Sequence, residues 1–404
     1  AVGRGGGVAA LPPPSGTAST PAAASAQPTP GIESISCAQP SEAFAVLCRT
    51  YADIKRDYVD EVSDRKLVEG AVRGMIEYGL GDPYSGYLTP EQYQSAQDDL
   101  SGEFSGIGAE VGMKNLADPG DLEACSVVTD TCAMVIVAPL DGSPAEAAGL
   151  RAGDQIKAID GVSTIGESVN SLVHVVRGPA GTDVILTIER DGESSEITVT
   201  RGVIDLNEVQ SDLLDGNVGY LRVTSFTDRA PDRVEVAIFA LLARGASAFI
   251  LDLRGNPGGY ISAAQSIASQ FVPSGELLFT VESGDDVQEW RSQDGLLQDP
   301  DIPVVVLVDH GSASASEIVA GALQDQGRAT ILGQPTFGKN TVQVWRDLPD
   351  GGGLRITTDR WFTPDHHSAA PDGIRPDVVV ASPVDPLSGA DPQLDRALEI
   401  LRGR

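Results

Sequence analysis

The segment IPVVVLVDHGSASASEIVAGALQDQ, residues 302–326, decides the fold. Its first seven residues form a short, valine-rich apolar run, which reads as a strand buried on both faces. Gly311 and a cluster of Ser and Ala follow, and a helical pattern takes over at 314–326. A strand running through a tight turn into a helix is the repeating unit of an α/β layer structure. Such a turn leaves backbone N–H groups free at a helix N-terminus, where developing negative charge is stabilised. Ser314 followed by Glu317 is also a capping-box pattern, so this segment alone is explained by a tight helix start.

Working outward, apolar runs at 218–223 and 248–253 alternate with helical patterns at 231–243 and 261–271, and 391–402 reads as a closing helix. Residues 205–404 are therefore expected to form an α/β core with buried central strands. Within it, FILDLRGNPGG (249–259) runs from a strand into a Gly-rich turn whose bare backbone can approach a ligand and present N–H donors. A chymotrypsin-like protease would carry Gly-Asn-Ser-Gly-Gly there; Pro257 occupies the serine position and is no nucleophile. QPTFGKNTVQVW (334–345) opens a strand whose alternation puts Lys339, Thr341 and Gln343 on one face.

Lys339 stands out by composition. The chain of 404 residues has 28 Lys+Arg, of which five are Lys (Lys55, Lys66, Lys114, Lys157 and Lys339), so arginine does most of the surface cation work. Only lysine can lose its proton near neutral pH, and a Ser–Lys dyad is a nucleophile–base arrangement. Holding a lysine half neutral near pH 7.4 costs about 4 kcal/mol against the charged form. Burial must supply that, because a net charge of −30 favours the cation. The dyad therefore requires Lys339 in a dry pocket.

The same charge repels phosphate backbones and anionic lipid, which argues against nucleic-acid binding and peripheral membrane attachment. No apolar stretch reaches the roughly 18 residues of a membrane span. Residues 1–36, rich in Gly, Ala, Pro, Ser and Thr, read as a disordered tether. Apolar residues recur at helical spacing over 37–102, predicting two or three amphipathic helices. From 103 to 204 the period changes to two, with strands at 135–138, 155–159 and 184–189 and one helix near 166–177, a small β-rich domain. Cys37 and Cys48, and Cys125 and Cys132, fall as two close pairs without CxxC spacing, which predicts two local disulfide loops in an oxidising compartment rather than a zinc site. No metal-ligand cluster and no phosphate loop is visible, so no cofactor is expected.

Taken together, GLGDPYSGYLTPEQY (79–93), GEFSGIGAEVG (102–112), SPAEAAGLRAGDQIKAIDG with VRGPAGTDVILTIER, GYLRVTSF (219–226), LDLRGNPGG, GSASASEI, PTFGKNTVQ, TTDRWFTP and GIRPD (373–377) resemble, in order, the carboxy-terminal processing peptidases, or tail-specific proteases. The resemblance covers about residues 45–380 and implies an α/β multidomain chain: a helical N-terminal segment, a PDZ domain and a serine protease core. It implies Ser314 as nucleophile, Lys339 as general base and Gln343 steadying the lysine. The oxyanion hole would come from the N–H of Ala315 with one from Gly258 or Gly259. Gly106, Ile107 and Gly108 would bind the carboxylate of a substrate tail, with the following strand pairing to it. Arg177 would link the PDZ domain to the active site.

Ser312 and Ser316 are rival nucleophiles by position. Asp309-His310 stands where relatives show Asn, and His310 invites a Ser–His pairing that needs an awkward fold-back. His366 and His367 read as solvated. The stretch 113–133 is longer than the usual hairpin, and Cys125 and Cys132 would staple it at the peptide groove. The expected protein is an extracytoplasmic serine endopeptidase acting on proteins or peptides with free, apolar C-termini. A homodimer through the helices at 45–78 and 391–402 is expected, and the alternative is a latent or inactive PDZ-containing binding protein.

Overall fold

The computed structural model describes residues 42–116, 125, 127–140, 142–205, 207–381 and 390–403. The expected tether at 1–36, Cys37 and most of the insertion after Leu116 lie outside the described residues. The chain divides into two units, 1–70 and 71–404. In the first, α1 (Glu42–Asp57) leads to the start of α2 (Asp64–Glu77). Lys55 reaches the connecting turn, 2.8 Å from the Asp64 carboxylate and donating to the Val62 carbonyl at 2.8 Å. Cys48 is a free, exposed thiol on α1 rather than half of the expected Cys37–Cys48 loop.

The second unit continues into β1 (Gly86–Leu88) and α3 (Pro90–Ser101). Thr89 and Gln92 cap α3 reciprocally, Pro90 occupies its first turn and Gly102 ends it in left-handed conformation. The β-rich region follows: β2 (Glu103–Gly106), β3 (Ala109–Asn115), β4 (Cys132–Pro139), α4 (Pro144–Ala147), β5 (Gln155–Ile159), β6 (Val162–Ser163), α5 (Val169–Val176), β7 (Asp183–Arg190), β8 (Glu193–Thr200) and β9 (Gly202–Asp205). Its sheet runs β3-β4-β5-β7-β8, antiparallel throughout, with β6 on β5. Alternation holds on β7, where Val184, Leu186 and Ile188 are fully buried beside Met134, Ile136 and Ile156. β3 is an edge strand that packs beside α5. β2 and β9 pair with each other, so the region's entry and exit lie together.

The core contains β10 (Val209–Leu214), β11 (Val218–Val223), α6 (Ala230–Ala243), β12 (Ala248–Asp252), α7 (Ile261–Ser269), β13 (Leu277–Ser283), β14 (Asp286–Arg291), β15 (Val304–Val308), α8 (Ala315–Asp325), β16 (Thr330–Gly333), β17 (Thr341–Asp347), β18 (Gly353–Phe362), β19 (Val378–Val379) and α9 (Pro392–Arg402). A six-stranded sheet runs β10-β11-β12-β15-β16-β19, with β10 antiparallel and the rest parallel. Every residue of β12 and β15 is buried, because alternate side chains enter two different cores. Phe249, Leu251, Val304 and Val306 face α6, α7 and α8. Ile250, Val305 and Leu307 face α9 through Ala397 and Leu401. The apolar stripe of α9 is thus covered by the sheet, which removes it as the expected dimer arm. The strand–helix alternation did not foretell the second sheet, β1-β18-β13-β14 with β17 on β18, all antiparallel. It joins strands from residue 86 to residue 362, and that separation hides it from local pattern.

Candidate active site

β15 ends at Val308, and the chain turns through 309–313 into α8 with Ser314 at the helix N-cap. Ser314 has φ 55° and ψ −111°, a backbone conformation that side-chain-bearing residues seldom adopt and that surrounding structure must enforce. The enforcement is visible. Gly255 and Gly311 donate their N–H groups to Asp309 Oδ1, each at 2.9 Å, and the Ala313 N–H donates to the Asn256 carbonyl at 3.0 Å. The rival serines are committed elsewhere: Ser312 Oγ donates to the Leu253 carbonyl at 2.8 Å and Ser316 Oγ to the Asn256 carbonyl at 2.9 Å, both fully buried. Ser314, between them, is half-buried. His310 is exposed on the turn and makes no hydrogen bond to Ser314.

The Gly-rich turn after β12 lies against this helix start. At Gly258, with φ 107°, a Cβ would stand 2.8 Å from the Ala313 carbonyl oxygen, 2.9 Å from Ser314 Cβ and 3.1 Å from the Ala315 nitrogen, so only glycine fits. Fully buried Asn256 shapes the turn: its Nδ2 donates to the Val223 carbonyl at 2.9 Å and its Oδ1 accepts the Gly258 N–H at 2.9 Å. The Gly258 N–H is therefore engaged, which leaves Gly259 as the freer of the two expected donors. The Ala315 N–H, at the first helical position, has no intrahelical acceptor. Behind the turn Arg254 holds Asp252 at 2.6 Å and Asp391 at 2.8 Å and donates to Gln393 at 3.0 Å, tying the loop to α9.

Glu317 joins the serine to the lysine. Fully buried on α8, it accepts the Ser314 N–H (2.7 Å), the Thr336 hydroxyl (2.6 Å), the Gly338 N–H (2.7 Å) and the Lys339 N–H (3.0 Å). The capping-box reading of Ser314 and Glu317 saw one of these four bonds. On the other side, the indole of buried Trp361 donates to the Lys339 carbonyl at 3.0 Å, so the backbone of Lys339 is held from both directions. Burial pushes the Lys339 amine below its ordinary lysine value, and the nearby Arg355 pushes it the same way, against the smaller pull of Glu317 and Asp82. Its Nζ lies 5.0 Å from the ring centroid of Tyr84, and no hydrogen bond joins it to Ser314 Oγ. Asn256, Glu317, Trp361 and Tyr84 were missing from the expected site. Beyond the capping-box pattern, the sequence signal for Glu317 was a carboxylate within the apolar part of a helix.

Gln343 does not reach the lysine. Its Nε2 donates to Thr341 (2.9 Å) and Thr357 (3.1 Å). Thr341 and Gln343 do share a side, but Lys339 precedes β17, so the alternation assumed for all three does not extend to it. Gly106 ends β2, Ile107 is buried in the β-region core, and Gly108, with φ 71°, lies against Ser143 and Ile204, where a Cβ would come within 2.6 and 2.7 Å. Arg177, the residue closing α5, donates to Ser95 Oγ (2.6 Å) and approaches Asp99 (3.4 Å), both on α3 and neither at the active site. Cys125 and Cys132 form the expected disulfide at the start of β4. His366 and His367 are exposed.

Residues 217–380 match the model of peptidase family S41, residues 135–190 that of a PDZ domain, and residues 18–92 that of the activating protease CtpB N-terminal domain. The carboxy-terminal processing protease CtpA of Bacillus subtilis is 36% identical over 344 residues, which cover 84% of this chain and 69% of that protein. A "Probable CtpA-like serine protease" of Staphylococcus haemolyticus is 36% identical over 334 residues, 82% of this chain, and this chain spans 64% of that relative's length. A crystal structure from Bacteroides fragilis, described as an S41 protease, shares the fold at 17% identity and a TM-score of 0.50, covering 90% of this chain and 98% of that one. The architecture is thus a PDZ domain joined to an S41 core. The chain belongs to the carboxy-terminal processing peptidase family.

Proposed function

We propose that the chain is a serine endopeptidase cleaving proteins or peptides near their C-terminal tails, with Ser314 as nucleophile and Lys339 as general base. One observation carries the reading: a single buried carboxylate, Glu317, binds the backbone N–H groups of both residues, so the strained serine and the half-buried lysine belong to one unit. The neutral amine takes the Ser314 proton as Oγ attacks the scissile carbonyl. The N–H groups of Ala315 and Gly259 receive the oxyanion, and the ammonium returns the proton to the leaving amine as the C–N bond breaks. Water then hydrolyses the ester by the same steps. Nζ and Oγ are not bonded in this state, and catalytic contacts of this kind tighten on substrate binding.

The edge strand β3, packed beside α5, is suited to pair with an extended peptide, with the 106–108 loop before it for the tail's carboxylate. Arg177 would report occupancy: it holds α3, whose Tyr93 donates to Asp347 (2.8 Å) and stacks on Trp345 (5.6 Å) of β17, the strand beginning two residues after Lys339. The Cys125–Cys132 disulfide favours an extracytoplasmic setting, and no helix among the described residues is long and apolar enough to cross a membrane. A homodimer would use the exposed Phe44, Val46 and Tyr51 of α1, and light scattering that returns a monomer mass would refute it.

The test is mass spectrometry of an unstructured protein with an apolar C-terminus after incubation with wild type, Ser314→Ala and Lys339→Ala. Cleavage by wild type alone is expected. Cleavage surviving in Lys339→Ala rejects the dyad, and none by folded wild type favours a latent enzyme or a binding protein.

A further inference from the structure

We infer that Tyr84 is a positioning residue for Lys339, its ring face receiving the ammonium that forms when the amine takes the Ser314 proton; this rests on the Ser–Lys reading above. The charge that appears on Nζ during attack needs a partner, and the pocket supplies few. The Glu317 carboxylate is already bonded to three backbone N–H groups and the Thr336 hydroxyl. Asp82 accepts from the Tyr84 N–H at 3.0 Å and Ser85 Oγ at 2.5 Å; burial would raise its carboxyl, but these bonds and one from Thr357 outweigh it and hold it below the usual range. The cations facing the lysine, Arg355 and Arg360 of β18, repel an ammonium; Arg360 lines the same cavity of about 600 Å³. Among the described residues Nζ has no hydrogen-bond or ion-pair partner, and its contact is the ring of Tyr84, 5.0 Å to the centroid. An aromatic face is negative and attracts a desolvated cation at that distance.

The ring is placed by construction. Arg355 Nε donates to the Tyr84 carbonyl at 2.8 Å and the Thr357 N–H donates to Ser85 Oγ at 3.0 Å, so the end of the 82–85 turn that carries the ring is stitched to β18. In acylation the proton moves from Oγ to Nζ, the Oγ–C bond forms, and the proton then passes to the leaving nitrogen as the C–N bond breaks. The ring stabilises the interval in which Nζ is charged, and an aromatic ring without the hydroxyl suffices for that.

The experiment uses the full chain with Tyr84→Leu, Tyr84→Met and Tyr84→Phe, each checked by thermal unfolding. Two readouts are taken across pH: kcat/KM on a peptide with a free apolar tail, and carbamylation of Lys339 by cyanate, which reacts with the neutral amine, followed by peptide mass spectrometry. Losing the ring face removes stabilisation of the cation, so in Tyr84→Leu and Tyr84→Met kcat falls about tenfold with KM little changed. The acid limb moves to lower pH and Lys339 is carbamylated faster at a given pH, whereas Tyr84→Phe follows wild type. Unchanged profiles in Leu and Met variants that fold overturn the inference, as does a Phe variant as impaired as Leu, which would make the hydroxyl the working group. If Lys339→Ala still cleaves, the dyad itself falls and takes the inference with it; loss of cleavage there with an unmoved Tyr84→Leu profile refutes the inference alone.

Discussion

Lys339 is asked to be two things that conflict: buried enough to lose its proton, and present in a protein whose net charge favours keeping it. Burial lowers its proton affinity in the folded state relative to the unfolded chain. Between those two values the unfolded chain binds more protons, so folding is penalised at neutral pH and the penalty fades as pH rises toward the free-lysine range. Lys339→Met, similar in volume, should therefore abolish cleavage yet unfold at a higher temperature than wild type at pH 7. The advantage should shrink by pH 10, and calorimetry at the two pH values checks it. Activity should rise with pH along a limb below that of a free lysine, because the neutral amine is the base. The residue's singularity was legible in a chain that otherwise uses arginine, but not its ring contact, since Tyr84 lies 255 positions earlier.

At the level of elements, the site is two strand–turn–helix connections pressed together, after β12 and after β15. Gly258→Ala would push a Cβ into the Ala313 carbonyl and Ser314, displacing the Ala315 N–H. The expected result is a loss of about a hundredfold in kcat with the fold retained, read by steady-state kinetics beside circular dichroism. Arg254 fastens the first connection to α9. Arg254→Ala would leave fully buried Asp252 without its cation and cost about 3 kcal/mol, measurable by urea unfolding. Three of the parallel strands, β11, β12 and β15, were readable because they are predominantly apolar runs, and α6 to α9 because their stripes keep helical period. The antiparallel sheet was not, since its strands are half-buried, of mixed polarity and paired across the chain.

For the whole molecule, 58 acidic against 28 basic residues leave a folded state that repels itself. Added salt screens that repulsion over about 10 Å at 0.1 M, so the melting temperature should climb as NaCl rises from 0.01 to 0.3 M. A melting temperature that is flat or falling over that range would show that local ion pairs such as those of Arg254 outweigh the net charge. The same negative field surrounds the lysine, so the base role proposed for it depends on local burial rather than on the surface.

By itself the sequence determined the buried apolar strands and helices of the α/β part, the β-rich region before it, the tight serine turn and the isolated lysine, because each is written in residues close together along the chain. Only the tertiary structure set the three serines apart, since the hydroxyls of Ser312 and Ser316 are buried and bonded to Leu253 and Asn256, about sixty positions away, while Ser314 is half-buried. It also decided that Glu317 joins serine to lysine, that Gln343 serves threonines instead, and that α9 is covered by the sheet. Those outcomes depend on pairings between distant segments, whose geometry no local periodicity encodes.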